Sequence, residues 1–199
     1  MSLRINQLRR RLCQGAALAA GGFAWPALGT AAEDTSVGAD HGRLRPPRPL
    51  PDIIVRCSSG ESIRLHQLLE HRVTAIQLMF TQCTTVCPIQ GVIFSRVQAM
   101  LPDSREQGAQ LLSLSVDPVH DSPRTLRAWL KRFGARHAWV GAVPEADDLQ
   151  QVLGSFGQQQ STLAGHATQV NISNRQGELI WRTGELPPPE SIADILRRA

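Results

Sequence analysis

Beyond its N-terminus the sequence has no run of about 18 strongly apolar residues, which excludes a protein that crosses the membrane repeatedly. It has no internal repeat at a period of about 20–50 residues, which excludes solenoids and propellers. It has one lysine, Lys131, and its other cations are arginines; this skew reads as coding bias rather than chemistry. It has only four cysteines, and no second close Cys/His pair beside the first, which argues against a four-ligand zinc site. Between Pro144 and Pro187 there is no proline. The stretch before Thr168 therefore cannot supply a cis-proline.

What is present suffices for one packed domain. The chain has 199 residues, with 42% hydrophobic and 19% charged. The formal charge of +4 is misleading. Four arginines (Arg4, Arg9, Arg10 and Arg11) lie in residues 1–32, where there is no acid, and the remainder carries 17 residues of each sign. A neutral folded part gives no support for nucleic-acid binding.

Residues 1–32 read as an export signal. A basic start runs to Arg11, a modest apolar stretch follows from Leu12 to Leu28, and Thr30-Ala31-Ala32 supplies small residues for cleavage. Arg9-Arg10-Arg11-Leu12 resembles a twin-arginine signal. The alternative is an uncleaved N-terminal anchor, which would be the only membrane association. Either way the folded part is expected in the periplasm or on the extracytoplasmic face, where thiols can be oxidised. Cys13 lies in this leader. Residues 33–49 read as a Pro/Arg-rich linker, unable to form a helix or a central strand.

Residues 50–199 read as one domain. A hairpin is expected from Ile53–Arg56 and Ser62–Leu65, and a short helix at 66–70. A buried strand runs from Val73 to Phe80, and a helix begins near Thr85 and stops before Pro102. Strand, helix, strand and helix follow at 111–116, 123–133, 138–143 and 149–156. A hairpin turns around Asn174–Gly177, and a last helix spans 189–198. This alternation predicts an α/β thioredoxin-like fold: a central, mostly parallel sheet flanked by helices, with an N-terminal β-hairpin.

Cys83 and Cys87 fall where the central strand gives way to a helix. In such sheets, sites form at the C-terminal ends of strands. Four residues rise about 6 Å along a helix, which brings the two sulfurs within reach of a disulfide. Unsatisfied N–H groups of the first turn favour thiolate over thiol. The polar neighbours Thr81, Gln82, Thr84 and Thr85 favour an accessible, redox-active pair over core filler. Of six histidines, His166 precedes a strand that should lie beside the central one. On spacing alone it is either a surface loop residue or a third ligand. An imidazole with two thiolates suits copper, whose Cu(I) form prefers sulfur. Cys57 reads as a free buried thiol.

Three blocks in order resemble the Sco/SenC family of thioredoxin-fold copper proteins of cytochrome c oxidase assembly. They are Phe80-Thr81-Gln82-Cys83-Thr84-Thr85-Val86-Cys87-Pro88, then Leu114-Ser115-Val116-Asp117-Pro118 with Asp121-Ser122-Pro123, then Gly165-His166-Ala167-Thr168. The resemblance covers roughly residues 50–198. It implies that Cys83, Cys87 and His166 are copper ligands. It also implies delivery of copper to, or reduction of cysteines in, the copper site of an oxidase. The partner would be a copper-receiving oxidase subunit or another copper chaperone, and the protein a monomer. Thr84 and Thr85 stand where the family often has Pro and Asp, and Gln82 where it often has His. Asp117 matches the family's Val-Asp-Pro element and is expected either to orient a ligand or to serve only as a strand-end turn residue.

Two other readings start from the same cysteines. One is an exported thioredoxin-like disulfide reductase, although ordinary members have Cys-x-x-Cys. The other is a redox or copper sensor acting through a partner. A peroxidase is disfavoured, because Thr81 is two residues before Cys83 and the Thr-x-x-Cys element is missing.

Overall fold

The computed structural model describes residues 41–102, 108–158 and 168–199. The leader, the first part of the expected linker and His166 lie outside these residues.

The elements follow in the order β1 (Gly42–Pro49), β2 (Ile54–Cys57), β3 (Ser62–Arg64), α1 (Leu65–Leu69), β4 (Thr74–Met79), α2 (Val86–Met100), β5 (Gln110–Ser115), α3 (Pro123–Arg132), β6 (Trp139–Pro144), α4 (Leu149–Ser155), β7 (Gln169–Ser173), β8 (Glu178–Glu185) and α5 (Pro189–Arg198). One turn of 3-10 helix, Ala146–Asp148, leads into α4. The eight strands make one sheet in the order β1-β8-β7-β4-β5-β6-β2-β3. Parallel pairing is confined to its middle, β4 with β5 and β5 with β6, where helices make the crossovers. The flanking pairs are antiparallel. The sheet is thus mixed, with the thioredoxin-like parallel unit at its centre.

Every residue of β4 and β5 is buried. That is why β4 is a near-continuous apolar run rather than an alternating one. Successive β4 residues point to opposite faces. Ala75 and Met79 enter one core with Phe94 and Val97 of α2, Trp129 of α3 and Ile192 of α5. Ile76 and Leu78 enter the other with Leu65 of α1 and Val152 of α4. Gln77, on the first of these faces, donates to Ser113 Oγ at 2.7 Å, which also accepts from the Trp139 indole at 2.9 Å.

Two local devices set the helices beside the site. Ser122 and Thr125 form a capping box at the start of α3, with Pro123 in its first turn. In α2, Gly91 lets the helix approach Phe133: a Cβ there would lie 2.7–2.8 Å from the phenyl ring.

The segment read as linker behaves differently in its second half. Gly42–Pro49 is an edge strand paired antiparallel with β8, Gly42 opposite Arg182 and Pro49 opposite Glu178, with an irregularity between Arg43 and Arg48. An edge strand pairs on one side only, so prolines that would break a central strand are tolerated there. Arg43 lies over the Trp181 ring, 5.9 Å from its centroid. Among the described residues, no helix is long and apolar enough to cross a membrane.

Candidate functional site: a dithiol at a strand–helix junction

After Met79 the chain leaves the sheet and turns once, the Cys83 N–H donating to the Phe80 carbonyl at 3.2 Å. Thr85 takes the N-cap position of α2 without a side-chain capping bond. Cys87 therefore lies in the first helical turn, where backbone N–H groups have no intrahelical partner. Its N–H donates to Cys83 Sγ at 3.4 Å, and Thr85 Oγ1 is 3.7 Å from the same sulfur. The sulfur of Cys83 does the work that a serine oxygen does at an ordinary N-cap.

The two thiols live in opposite environments. Cys83 is half-buried and Cys87 is fully buried in the core under α2. Partial burial pushes the Cys83 thiol up. Hydrogen bonds from the Cys87 thiol and N–H, and from the Thr85 N–H and hydroxyl, outweigh it and bring the thiol down to about 7. Burial pushes Cys87 far up, reinforced by its hydrogen bond to Cys83 and by the negative charges of Cys83 and Asp121. A backbone hydrogen bond from Phe80 opposes this only in part. The pair is thus an accessible thiol that ionises near neutral pH beside a buried one that holds its proton.

Asp117 and Asp121 both sit just beyond the end of β5, and they face different ways. Asp117 is 5% exposed; both its oxygens are 2.9 Å from His120 Nδ1. Its carbonyl accepts from the Asp121 N–H at 2.8 Å, and its own N–H donates to Ser115 Oγ at 3.1 Å. Asp117 therefore shapes the turn. Asp121, 3% exposed, is the carboxylate that reaches the cysteine loop, where it accepts from Thr81. Sequence reasoning gave Asp121 no role. The available signal was an acid immediately before the Ser-Pro start of a helix, at the end of a buried strand.

β7 runs antiparallel to β4, with Val170 opposite Gln77. The start of β7 and Thr168 are therefore at the same end of the sheet as the cysteine loop. Thr168 is 7% exposed, and its hydroxyl has no hydrogen-bond partner among the described residues. His166 lies outside the described residues. Among the described residues no group of three or more His, Cys, Asp or Glu is arranged to hold a metal. Among the described residues the two sulfurs are the soft ligands at this end of the sheet. The described histidines, His41, His66, His71, His120 and His137, are all exposed, and His120 pairs with Asp117 in the turn after β5.

The chain around the cysteines is itself uncharged, with polar Gln82, Thr84 and Thr85 exposed on the loop. Residues 76–95 contain no charged side chain and no histidine. Ile89 is 48% exposed on α2 and Val119 is 77% exposed in the turn after β5.

Comparison with known proteins agrees with the geometry. The family profile described as SCO1/SenC matches residues 58–199. A protein of Stutzerimonas stutzeri named "Putative copper-binding protein" is 27% identical over 78 residues, which is 39% of this chain and 37% of that relative. The chain therefore spans well under half the length of this curated relative. A SCO1/SenC family lipoprotein from Bacillus anthracis superposes with a TM-score of 0.62 at 23% identity, covering 78% of this chain and 98% of that one. Bradyrhizobium japonicum ScoI with copper bound gives 0.61 at 21%, covering 75% and 98%. Yeast Sco1 with copper bound gives 0.64 at 17%, covering 76% and 88%. At these identities the structures establish the shared fold.

Proposed function

We propose, from the premise that this chain belongs to the SCO1/SenC family, that it is an exported copper-binding protein that serves the copper site of a cytochrome c oxidase. Cys83 and Cys87 hold the ion, and His166 completes the ligand set. The single observation that carries this reading is the dithiol itself: a half-buried Cys83 that ionises near neutral pH, hydrogen-bonded to the helix turn that carries a buried Cys87. The donor set suits a soft cation. Two thiolates favour Cu(I), and an imidazole extends the site toward Cu(II). Cys87 gives up its proton when a soft cation takes its place, so loading releases protons and strengthens as pH rises. The relatives named for copper support the same assignment.

The partner is a copper-receiving oxidase subunit or another copper chaperone. The stretch around Cys83 offers it an uncharged approach lined by exposed Gln82, Thr84 and Thr85. Export places the domain in the periplasm or on the extracytoplasmic face, with membrane association only through the N-terminal segment if that segment stays uncleaved. Asp117 supports the site through the turn it builds rather than by contact with a sulfur.

The lowered Cys83 thiol also supports a second reading, in which the dithiol reduces a disulfide in the receiving site. The Cys83 thiolate attacks one sulfur of that disulfide, whose S–S bond breaks, and the other sulfur leaves as a thiolate with the electron pair. Cys87 then loses its proton and attacks Cys83 Sγ, which releases the second thiol. Two electrons have moved to the partner, and a Cys83–Cys87 disulfide remains.

Anaerobic titration of the reduced protein with Cu(I) against a chelator of known affinity tests the proposal. The expected result is one ion per chain, lost in Cys83→Ser and Cys87→Ser and weakened in His166→Ala. Absence of copper binding by the intact dithiol, with the pair still cycling to a disulfide, would leave the reductase reading in its place.

A further inference from the structure

Within its own loop Cys83 is held by its N–H bond to the Phe80 carbonyl at 3.2 Å and by packing against the core. Gln82, Thr84 and Thr85 are exposed. The loop's tie to the neighbouring strand is Thr81, two residues before Cys83. The Thr81 N–H donates to both oxygens of Asp121, at 3.2 Å each, and the Thr81 hydroxyl donates to Oδ1. The other oxygen accepts from Ser115 Oγ at 2.6 Å, at the last residue of β5. Ser115 lies directly opposite Met79, the last residue of β4. One carboxylate therefore fastens the exit of β4 to the end of β5.

From this geometry we infer that Asp121 is the positioning residue of the dithiol, acting through Thr81 to hold Cys83 against the first turn of α2, where its sulfur meets Cys87. The inference rests on the function proposed above, which makes the geometry of that pair matter. A buried carboxylate is costly unless every lone pair in reach is used. Asp121 is nearly fully buried and uses both oxygens as acceptors. The carboxylate accepts from the Thr81 N–H, the Thr81 hydroxyl and the Ser115 hydroxyl. An asparagine has one acceptor oxygen, could meet Ser115 only by reversing that hydrogen bond, and gives up the charge that strengthens all three. Asp121 reaches Cys83 through Thr81, while its charge acts on the Cys87 thiol directly; Thr81→Val, which leaves that charge in place, separates the two.

The test measures how well the two thiols are held together, without copper. The reduced protein is equilibrated with oxidised glutathione. The two cysteines give two electrons and two protons, glutathione disulfide becomes two reduced glutathiones, and the Cys83–Cys87 disulfide forms. The equilibrium constant is the effective concentration of one thiol at the other. Asp121→Asn is expected to lower it on the order of tenfold to a hundredfold, as a displacement of about 1 Å does to a positioned pair. Thr81→Val, which leaves the carboxylate in place, is expected to lower it in the same direction. The double variant should add little to the larger single effect. Ser122→Ala is the control: it removes the α3 cap beside Asp121 without touching Thr81.

An unchanged constant in Asp121→Asn would overturn the inference. So would an equal change in Ser122→Ala at matched loss of stability, since the carboxylate would then be acting through general stability. Should Asp121→Asn fail to fold, Thr81→Val decides alone. Wild-type protein that binds no copper, yet whose disulfide constant falls in Asp121→Asn, would remove the proposed function and leave the role of Asp121 standing.

Discussion

Cys57 and Cys83 both lie where a strand of the same sheet ends, and they are opposite in chemistry. Cys57 closes β2, 4% exposed against the core on the α1 and α4 face. Burial, with the Glu61 carboxylate nearby, pushes its thiol up to about 11. Cys83 follows β4 at the other end of the sheet, half-buried, and is brought down to about 7. The difference lies in burial and in what each strand leads into. β2 turns straight back into β3, and the turn uses its own N–H groups: Cys57 N–H donates to Glu61 O at 2.8 Å, and Gly60 N–H to Cys57 O at 2.8 Å. β4 leads into a helix, whose first turn has N–H groups to spare for a sulfur. Burial raises Cys57 and Cys87; Cys83 is lowered because, only half-buried, it also receives donors from the first turn of α2.

The largest expected effect is on copper. Cys83→Ser abolishes 1:1 Cu(I) binding in a chelator competition, whereas Cys57→Ser leaves the affinity of wild type. Loss in both variants would mean that the buried thiol of β2 belongs to the same site, which would break the contrast.

Stability as a function of pH sharpens it, because the two shifts have opposite signs. The ordinary thiol value is 9.0. Cys83 is lowered, so its contribution is complete above pH 9 and is lost as pH falls through about 7. Cys57 is raised, so its contribution is complete below pH 9 and is lost as pH rises through about 11. Cys87, raised also, adds to the alkaline loss. Urea midpoints of metal-free protein should decline above pH 9, less steeply in Cys57→Ser. Cys83→Ser should lose the rise between pH 7 and 9. Identical profiles in all three proteins would contradict the assignment of environments.

Gly91→Ala disturbs one thiol and spares the other. The added methyl would sit 2.7–2.8 Å from the Phe133 ring, and overpacking of this kind costs about 1–3 kcal/mol. Because α2 carries Cys87, the reactivity of the pair should change with it, while Cys57, in the core on the opposite face, keeps its protection. Denaturant titration with thiol labelling checks both halves. The smallest expected effect is that of Ser122→Ala, about 1 kcal/mol from loss of the capping box, read from the urea midpoint with no change in Cys57 labelling.

Much of the order of elements was legible in the sequence, because buried strands and capped helices write themselves in local pattern. The run from Val73 to Phe80 contains β4, and the helix expected at 189–198 is α5. The placement of Cys83 and Cys87 at a strand–helix junction was legible for the same reason. β1 was not. Its prolines exclude a helix and a central strand, and whether such a segment finds an edge depends on β8, far away in the chain. Nor could sequence distinguish Asp117 from Asp121. Both lie in one turn, and only the packing of β5 against β4 decides which carboxylate meets Thr81 and which meets His120. The sheet's antiparallel flanks were likewise set by long-range pairing rather than by any local signal.

The most direct test of the contrast is alkylation of the native, metal-free protein by iodoacetamide over a range of pH, with the modified cysteine identified by mass spectrometry. Cys83 should react first, at a rate that rises about tenfold per pH unit on the acid side and levels off above about 7. Cys57 should stay unmodified until the protein unfolds or the pH nears 11. Cys57 reacting at neutral pH as fast as Cys83, or Cys83 levelling off only near 9, would contradict the contrast.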